Sequence, residues 1–167
     1  MSPLKRSGHT GKTFNDMNQK YEQRPRELAR LRMSSLLLGT CGVWLILLGA
    51  YFVFLRPPLL AEDLRYIAVT EASAGSAMPG LAGWLKLVFI VLGGFAASSG
   101  IVLTYLAIWI LPRRLPGAGL VAAAVTILGP ALMCAVNFAL HSNFRWLLLA
   151  PAILGTTGVL AYMRGLP

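Results

Sequence analysis

The sequence predicts an all-α membrane protein, a four-transmembrane-helix bundle with a short amphipathic helix in its first outer loop. Three observations carry that prediction. The chain is 56% hydrophobic and only 13% charged over 167 residues, with a mean hydropathy of +0.66. A water-soluble core of this size cannot hide so much apolar surface. The apolar residues also gather into runs long enough for a helix rising about 1.5 Å per residue to cross about 30 Å of hydrocarbon. Finally, two of these runs, Leu87 to Leu111 and Leu115 to Leu140, are joined by Pro112-Arg113-Arg114-Leu115-Pro116-Gly117. Each guanidinium group in that turn would cost about 3 kcal/mol at mid-membrane, so the turn must reach an aqueous face.

Residues 1–32 read as a basic cytosolic tail, flexible at first and then helical. Eight of the fifteen Lys and Arg precede Met33, namely Lys5, Arg6, Lys12, Lys20, Arg24, Arg26, Arg30 and Arg32. Gly8, Gly11, Asn15 and Asn18 interrupt any periodicity up to Gln23, which favours a flexible start. Helix is expected from Pro25, because proline suits a first helical turn and Glu27 can pair with Arg30. Gly8-His9-Thr10-Gly11-Lys12-Thr13 has the outline of a phosphate-binding loop, but Arg6 stands where that motif needs glycine. No strand precedes it and no nucleotide-binding α/β pattern follows, so the stretch reads as solvated tail.

The transmembrane domain covers residues 33–163, with spans at about 33–55, 85–111, 117–140 and 146–163. In the first, Ser35, Gly39, Gly42 and Gly49 form a stripe of small residues, and in the second Gly93, Ala97, Gly100, Thr104 and Ala107 form another. Small residues at such spacings let helices approach closely, either within one chain or between protomers.

Residues 56–83 form the outer loop. Pro57 and Pro58 end the first span, and Leu59 to Ile67 reads as an amphipathic helix with Glu62 and Asp63 at its favourable start. Glu71 to Gly83, rich in Ala, Gly, Ser and Pro, reads as loop. The third span should kink at Gly129-Pro130, with Thr126 placed to satisfy part of the freed backbone. Asn137 and His141, four residues apart, share one side of its outer end.

Charge distribution sets the orientation. With the amino terminus inside, eleven basic residues fall on the cytoplasmic side, Arg30, Arg32, Arg113 and Arg114 among them, against four outside. Both termini, including the short 164–167 end, are therefore expected in the cytoplasm. Composition and the lack of eukaryotic targeting signals suggest a bacterial inner membrane. The first apolar run spans and has no cleavage site, so it is not read as a signal peptide. Cys41 and Cys134 lie about 13 Å apart in depth, too far for a disulfide, and read as small packing residues.

The sharpest chemical constellation is the outer group Glu62, Asp63, Asn137 and His141. A carboxylate folded over His141 could bind a cation or shuttle protons. Against this, acids at a helix start are ordinary dipole residues, and metal ligation needs three or four suitable ligands. Asn137 alone reads as interhelical glue. No acidic residue falls inside a span, and no haem His pair, Cys-x-x-Cys, Gly-x-Ser-x-Gly or His-Glu-x-x-His is present, so no catalytic, cofactor or metal residues are assigned. The leading expectation is a non-enzymatic scaffold or accessory subunit of a membrane complex. It would associate with itself or another membrane protein, and its tail would meet anionic lipid or a cytosolic partner. Bound lipid is the one ligand expected, and nucleic acid is not, because the tail lacks a groove-reading fold and stacking aromatics. The alternatives are a transporter-like or lipid-binding bundle with a cavity near Pro130, and a membrane enzyme using Glu62, Asp63 and His141.

Overall fold

The computed structural model describes the backbone from His9 to Gly165 and the side chains from Leu28 onward. Residues 1–8, where the basic tail begins, lie outside the described residues, as do 166–167. Among the described residues the fold is all helix. We label the helices α1 (His9–Phe54), α2 (Ala61–Tyr66), α3 (Glu71–Ala77), α4 (Leu81–Arg113), α5 (Ala118–Ala139) and α6 (Arg145–Met163). Four of them, α1 over Leu28–Phe54 together with α4, α5 and α6, are long and apolar enough to cross a membrane.

The bundle is organised around α1 rather than around the α4–α5 hairpin. α1 packs along both α4 and α6, while α4 and α5 touch only sparsely. Leu31, Leu38, Cys41 and Leu45, at helical spacings of seven, three and four, are buried on its inner face. Leu103, Ala107 and Leu111 of α4, Ala118 and Ala122 of α5, and Val159 and Tyr162 of α6 complete the core. Outward faces are apolar too: Leu36, Leu47, Phe95, Leu120 and Leu128 are each at least 65% exposed.

Three local features depart from the sequence expectation. First, helix is already present at His9, the first described residue, and runs unbroken through residue 25 rather than starting there, so α1 covers 46 described residues, about 69 Å of helix. Second, Glu71–Ala77 is helical, where a loop was expected. Thr70 caps α3 by accepting from the Ser73 backbone N–H at 3.2 Å, while the Ser73 hydroxyl accepts from Thr70 N–H at 3.0 Å. This reciprocal capping box, followed by three alanines, outweighs the small-residue composition.

Third, the break at Pro130 is a π-helical turn, Ile127–Ala131, in which Leu132 N–H donates to Ile127 O. Proline has no N–H to give Thr126 O, and the wider register absorbs the loss. Thr126 does not help as expected. Its hydroxyl is buried without a hydrogen-bond partner, and its methyl lies against Gly155, where an added Cβ would meet Cγ2 at 2.7 Å. Pro130 itself is fully buried, its turn packed on α6. A second π segment, Leu106–Ile110, precedes the basic turn of α4, with Leu111 N–H donating to Leu106 O.

Candidate functional site

The small-residue stripes of α1 and α4 face each other within one chain. A Cβ on Gly49 would lie 2.5 Å from Gly93 O and 2.6 Å from Ala97 N; one on Gly100 would lie 2.5 Å from Gly42 O. Gly42 and Gly93 are equally tight against backbone, at 2.8 Å from Gly100 O and 2.7 Å from Gly49 O. The seven-residue spacing of Gly42 and Gly49 matches that of Gly93 and Gly100 in reverse. That correspondence is the sequence signal for an antiparallel pair, and these five residues make their close contacts within one chain. Gly39 differs, since its Cβ would meet only Ala107 Cβ, at an ordinary 3.7 Å.

At the end of the bundle carrying α2, the predicted polar group comes apart into structural contacts. Glu62 Oε1 accepts from Ser142 Oγ at 2.9 Å and Oε2 from Asn143 N–H at 2.8 Å, so both oxygens brace the turn between α5 and α6. Asp63 Oδ2 accepts from Leu60 N–H at 2.9 Å as the cap of α2, and from Arg56 Nη2 at 3.1 Å. Asn137 Nδ2 donates to Met133 O of its own helix at 2.9 Å, an intrahelical bond in place of the interhelical one expected.

His141 closes α5. It adopts φ of 51°, its N–H donates to Phe138 O, and the next N–H, of Ser142, donates to Asn137 O. These bonds form a Schellman motif in which His141 takes the left-handed position usually held by glycine. Its Nδ1 lies 3.2 Å from Ala139 O, and Arg65 Nη2 donates to its carbonyl at 3.3 Å. No group of three His, Cys, Asp or Glu that could hold a metal forms among the described residues.

Arg56 is the residue that sequence reasoning missed here. Its guanidinium sits 3.4 Å from the Phe89 ring centroid and 5.4 Å from that of Phe52, and it forms an ion pair with Asp63. It thereby ties the end of α1 to α2 and α4. The signal available was an arginine directly before Pro57-Pro58, with the acids of α2 shortly after. Beneath α2 lies a groove of about 390 Å³ that includes Leu59, Tyr66, Ile67, Met78 and Phe89.

Two substitutions separate a structural role from a chemical one. Glu62→Gln keeps one acceptor oxygen where two are used and sets an NH2 donor in place of the other, so it should lower stability by about 1–2 kcal/mol, read as a shifted thermal unfolding midpoint in detergent. His141→Gly should leave stability level or raise it by up to about 1 kcal/mol, because glycine relieves the left-handed backbone while adding chain entropy to the unfolded state. A clear loss on removing the imidazole would contradict this reading.

The opposite end is basic. Arg30 Nη1 donates to Arg164 O at 3.5 Å, joining the start of the α1 span to the end of α6. Arg113 donates to Trp109 O and lies 5.7 Å from the Trp109 ring centroid. Arg114, at φ of 51°, and Gly117, at φ of 82°, turn the chain into α5. Leu31, Leu111, Ala118 and Tyr162 share the core beside this turn, so Arg30, Arg113, Arg114 and Arg164 gather at one end. Arg32 lines a groove between α1 and α4 there. Cys41 and Cys134 are both buried and free, and Cys41 Sγ donates to Pro151 O at 3.3 Å. No protein-family model, curated protein or solved structure gives a significant match to the chain.

Proposed function

We propose that the protein is a polytopic membrane protein acting without catalysis, as a scaffold or accessory subunit of a membrane complex in a bacterial inner membrane. Both termini are cytoplasmic in this reading, and the basic arm engages anionic lipid or a cytosolic partner. The observation that carries it is the continuity of α1. The same helix that packs along α4 and α6 extends 19 residues before Leu28, about 28 Å beyond the apolar part. Lys12, Lys20, Arg24 and Arg26 lie on that extension. An arm that shares its backbone with the hub of the bundle couples whatever binds it to the membrane domain.

Lipid is the environment that suits the outward leucines and phenylalanines, since an aqueous protein seldom shows apolar patches of that extent. The outer polar residues support a structural rather than a catalytic role, because Glu62, Asp63 and His141 are engaged in bracing, capping and turn formation and Asn137 bonds within its own helix. As the glycine stripes are occupied within the chain, association with itself or another membrane protein falls to other surfaces, with the arm foremost.

The test is affinity capture of the full chain from membranes in gentle detergent, with proteins and lipids identified by mass spectrometry. Replacing Lys20, Arg24 and Arg26 together by Gln should reduce co-purifying partners or anionic lipid at least about tenfold. Unchanged recovery of both classes would overturn the assignment of the arm.

A further inference from the structure

The groove at the basic end combines an apolar channel, a cation and an orphaned hydroxyl. It has a volume of about 740 Å³ and runs along α1 from Leu28 to Val43, about 22 Å. One leaflet's share of a hydrocarbon core about 30 Å thick is about 15 Å, so the groove can hold an acyl chain lengthwise. Leu28, Leu36, Val43 and Ile108 form its walls and are all exposed, while Gly39 and Ala107 lie along its floor. Because Gly39 is under no steric demand from α4, its missing side chain keeps this channel open rather than bringing two helices together.

Arg32 and Ser35 lie toward one end of the channel, whereas the hydroxyls of Thr40 and Thr104, farther along it, donate to Leu36 O and Gly100 O. Ser35 Oγ is buried with no hydrogen-bond partner, one turn from Arg32 on the same face of α1. At the far end of the bundle α2 and α3 carry Glu62, Asp63 and Glu71, and Arg56 pairs with Asp63 there. Positive charge gathers at the near end, in Arg30, Arg32, Arg113 and Arg164.

We propose that this groove binds a single anionic phospholipid, its acyl chain along Gly39 and Ala107 and its phosphate between Arg32 and Ser35. The inference rests on the membrane reading and gives its lipid partner a position. Phosphate matches the chemistry of both groups, as a charge-assisted acceptor for the guanidinium and for the serine hydroxyl. A neutral lipid fills the channel equally well but brings no net charge to Arg32.

Native mass spectrometry of the full chain in mild detergent tests it, with dioleoyl phosphatidylglycerol, dioleoyl phosphatidylcholine and glycerol 3-phosphate as probes. The wild-type chain should retain one phosphatidylglycerol, with about fivefold preference over phosphatidylcholine. Arg32→Gln, at an exposed position, should abolish the preference. Gly39→Leu should fill the channel and remove retention of both lipids, while Gly94→Leu, on the open face of α4 with nothing within 4 Å, should bind as wild type does. Equal retention of the two lipids by the wild type, or wild-type binding by Gly39→Leu, overturns the site. Comparable binding of glycerol 3-phosphate assigns it to a headgroup alone and overturns the acyl channel. A chain that stays dissolved after detergent removal would instead defeat the membrane reading, a result distinct from loss of lipid selectivity.

Discussion

Gly100→Ala is expected to destabilise the folded chain by about 3 kcal/mol or more, the upper end of what overpacking costs. The reason is the nature of what the new methyl would strike. Gly42 O would lie 2.5 Å away and Ile46 N 2.8 Å away, and both are backbone atoms of a long helix that cannot rotate aside. α1 and α4 would have to separate, loosening the neighbouring contact between Gly49 and Gly93 as well. Gly39→Ala is the matched control. Its methyl would meet Ala107 Cβ at 3.7 Å, so the change should be neutral or favourable by up to about 1 kcal/mol, the helix propensity gained. Thermal unfolding of the two variants in the same detergent measures the contrast. Similar behaviour would show that the α1–α4 contact is not a close backbone approach.

Arg56→Ala should cost about 2–4 kcal/mol and release α2 from the bundle. The arginine side chain is 8% exposed and that of Asp63 30%, so the pair is shielded on one side and partly screened on the other. Removing the cation leaves Asp63 with only the Leu60 N–H to answer its charge, and uncovers the Phe89 face. The estimate combines a partly buried ion pair with a desolvated cation–π contact. Arg56→Lys should recover little of it, because a compact ammonium cannot stack flat on Phe89 while donating to Asp63. Limited proteolysis around residues 57–70 reads the release directly: cleavage should accelerate in Arg56→Ala, and an unchanged rate would contradict the clamp.

Much of the helical architecture was legible in the sequence because segments long and apolar enough to cross a membrane announce themselves by length and uniform apolarity. Four helices long and apolar enough to cross a membrane are present, and α2 forms with Glu62 and Asp63 in its first turn. The small-residue stripes were equally visible. What they face was not, because a stripe records only that something comes close; the partner emerges from two equal spacings read in opposite directions. α3 was hidden by composition, although Thr70 and Ser73 carried its capping signal. Pro25 was read as a start because proline favours first turns, yet helix continues on both sides of it.

The outer polar group shows a different limit. Glu62, Asp63, Asn137 and His141 were grouped from nearness in the expected topology, in which a carboxylate could fold over His141; Glu62 is the one that reaches the α5–α6 turn. The carboxylate meets the hydroxyl and amide beside His141, Ser142 and Asn143, with its two oxygens used there. Residue type cannot distinguish a histidine poised for chemistry from one occupying a left-handed helix cap, since the difference lies in backbone angles.

Sidedness is the most direct measurement of the central claim. Single cysteines placed at Lys20, Glu71, Arg114 and Asn143 would be exposed in turn to a membrane-impermeant maleimide, in intact cells and after permeabilisation. We predict that positions 20 and 114 react only after permeabilisation, whereas 71 and 143 react in intact cells. Labelling of positions 20 and 114 from opposite sides, or of all four alike, would contradict a bundle whose arginine turn and amino-terminal arm share one aqueous face.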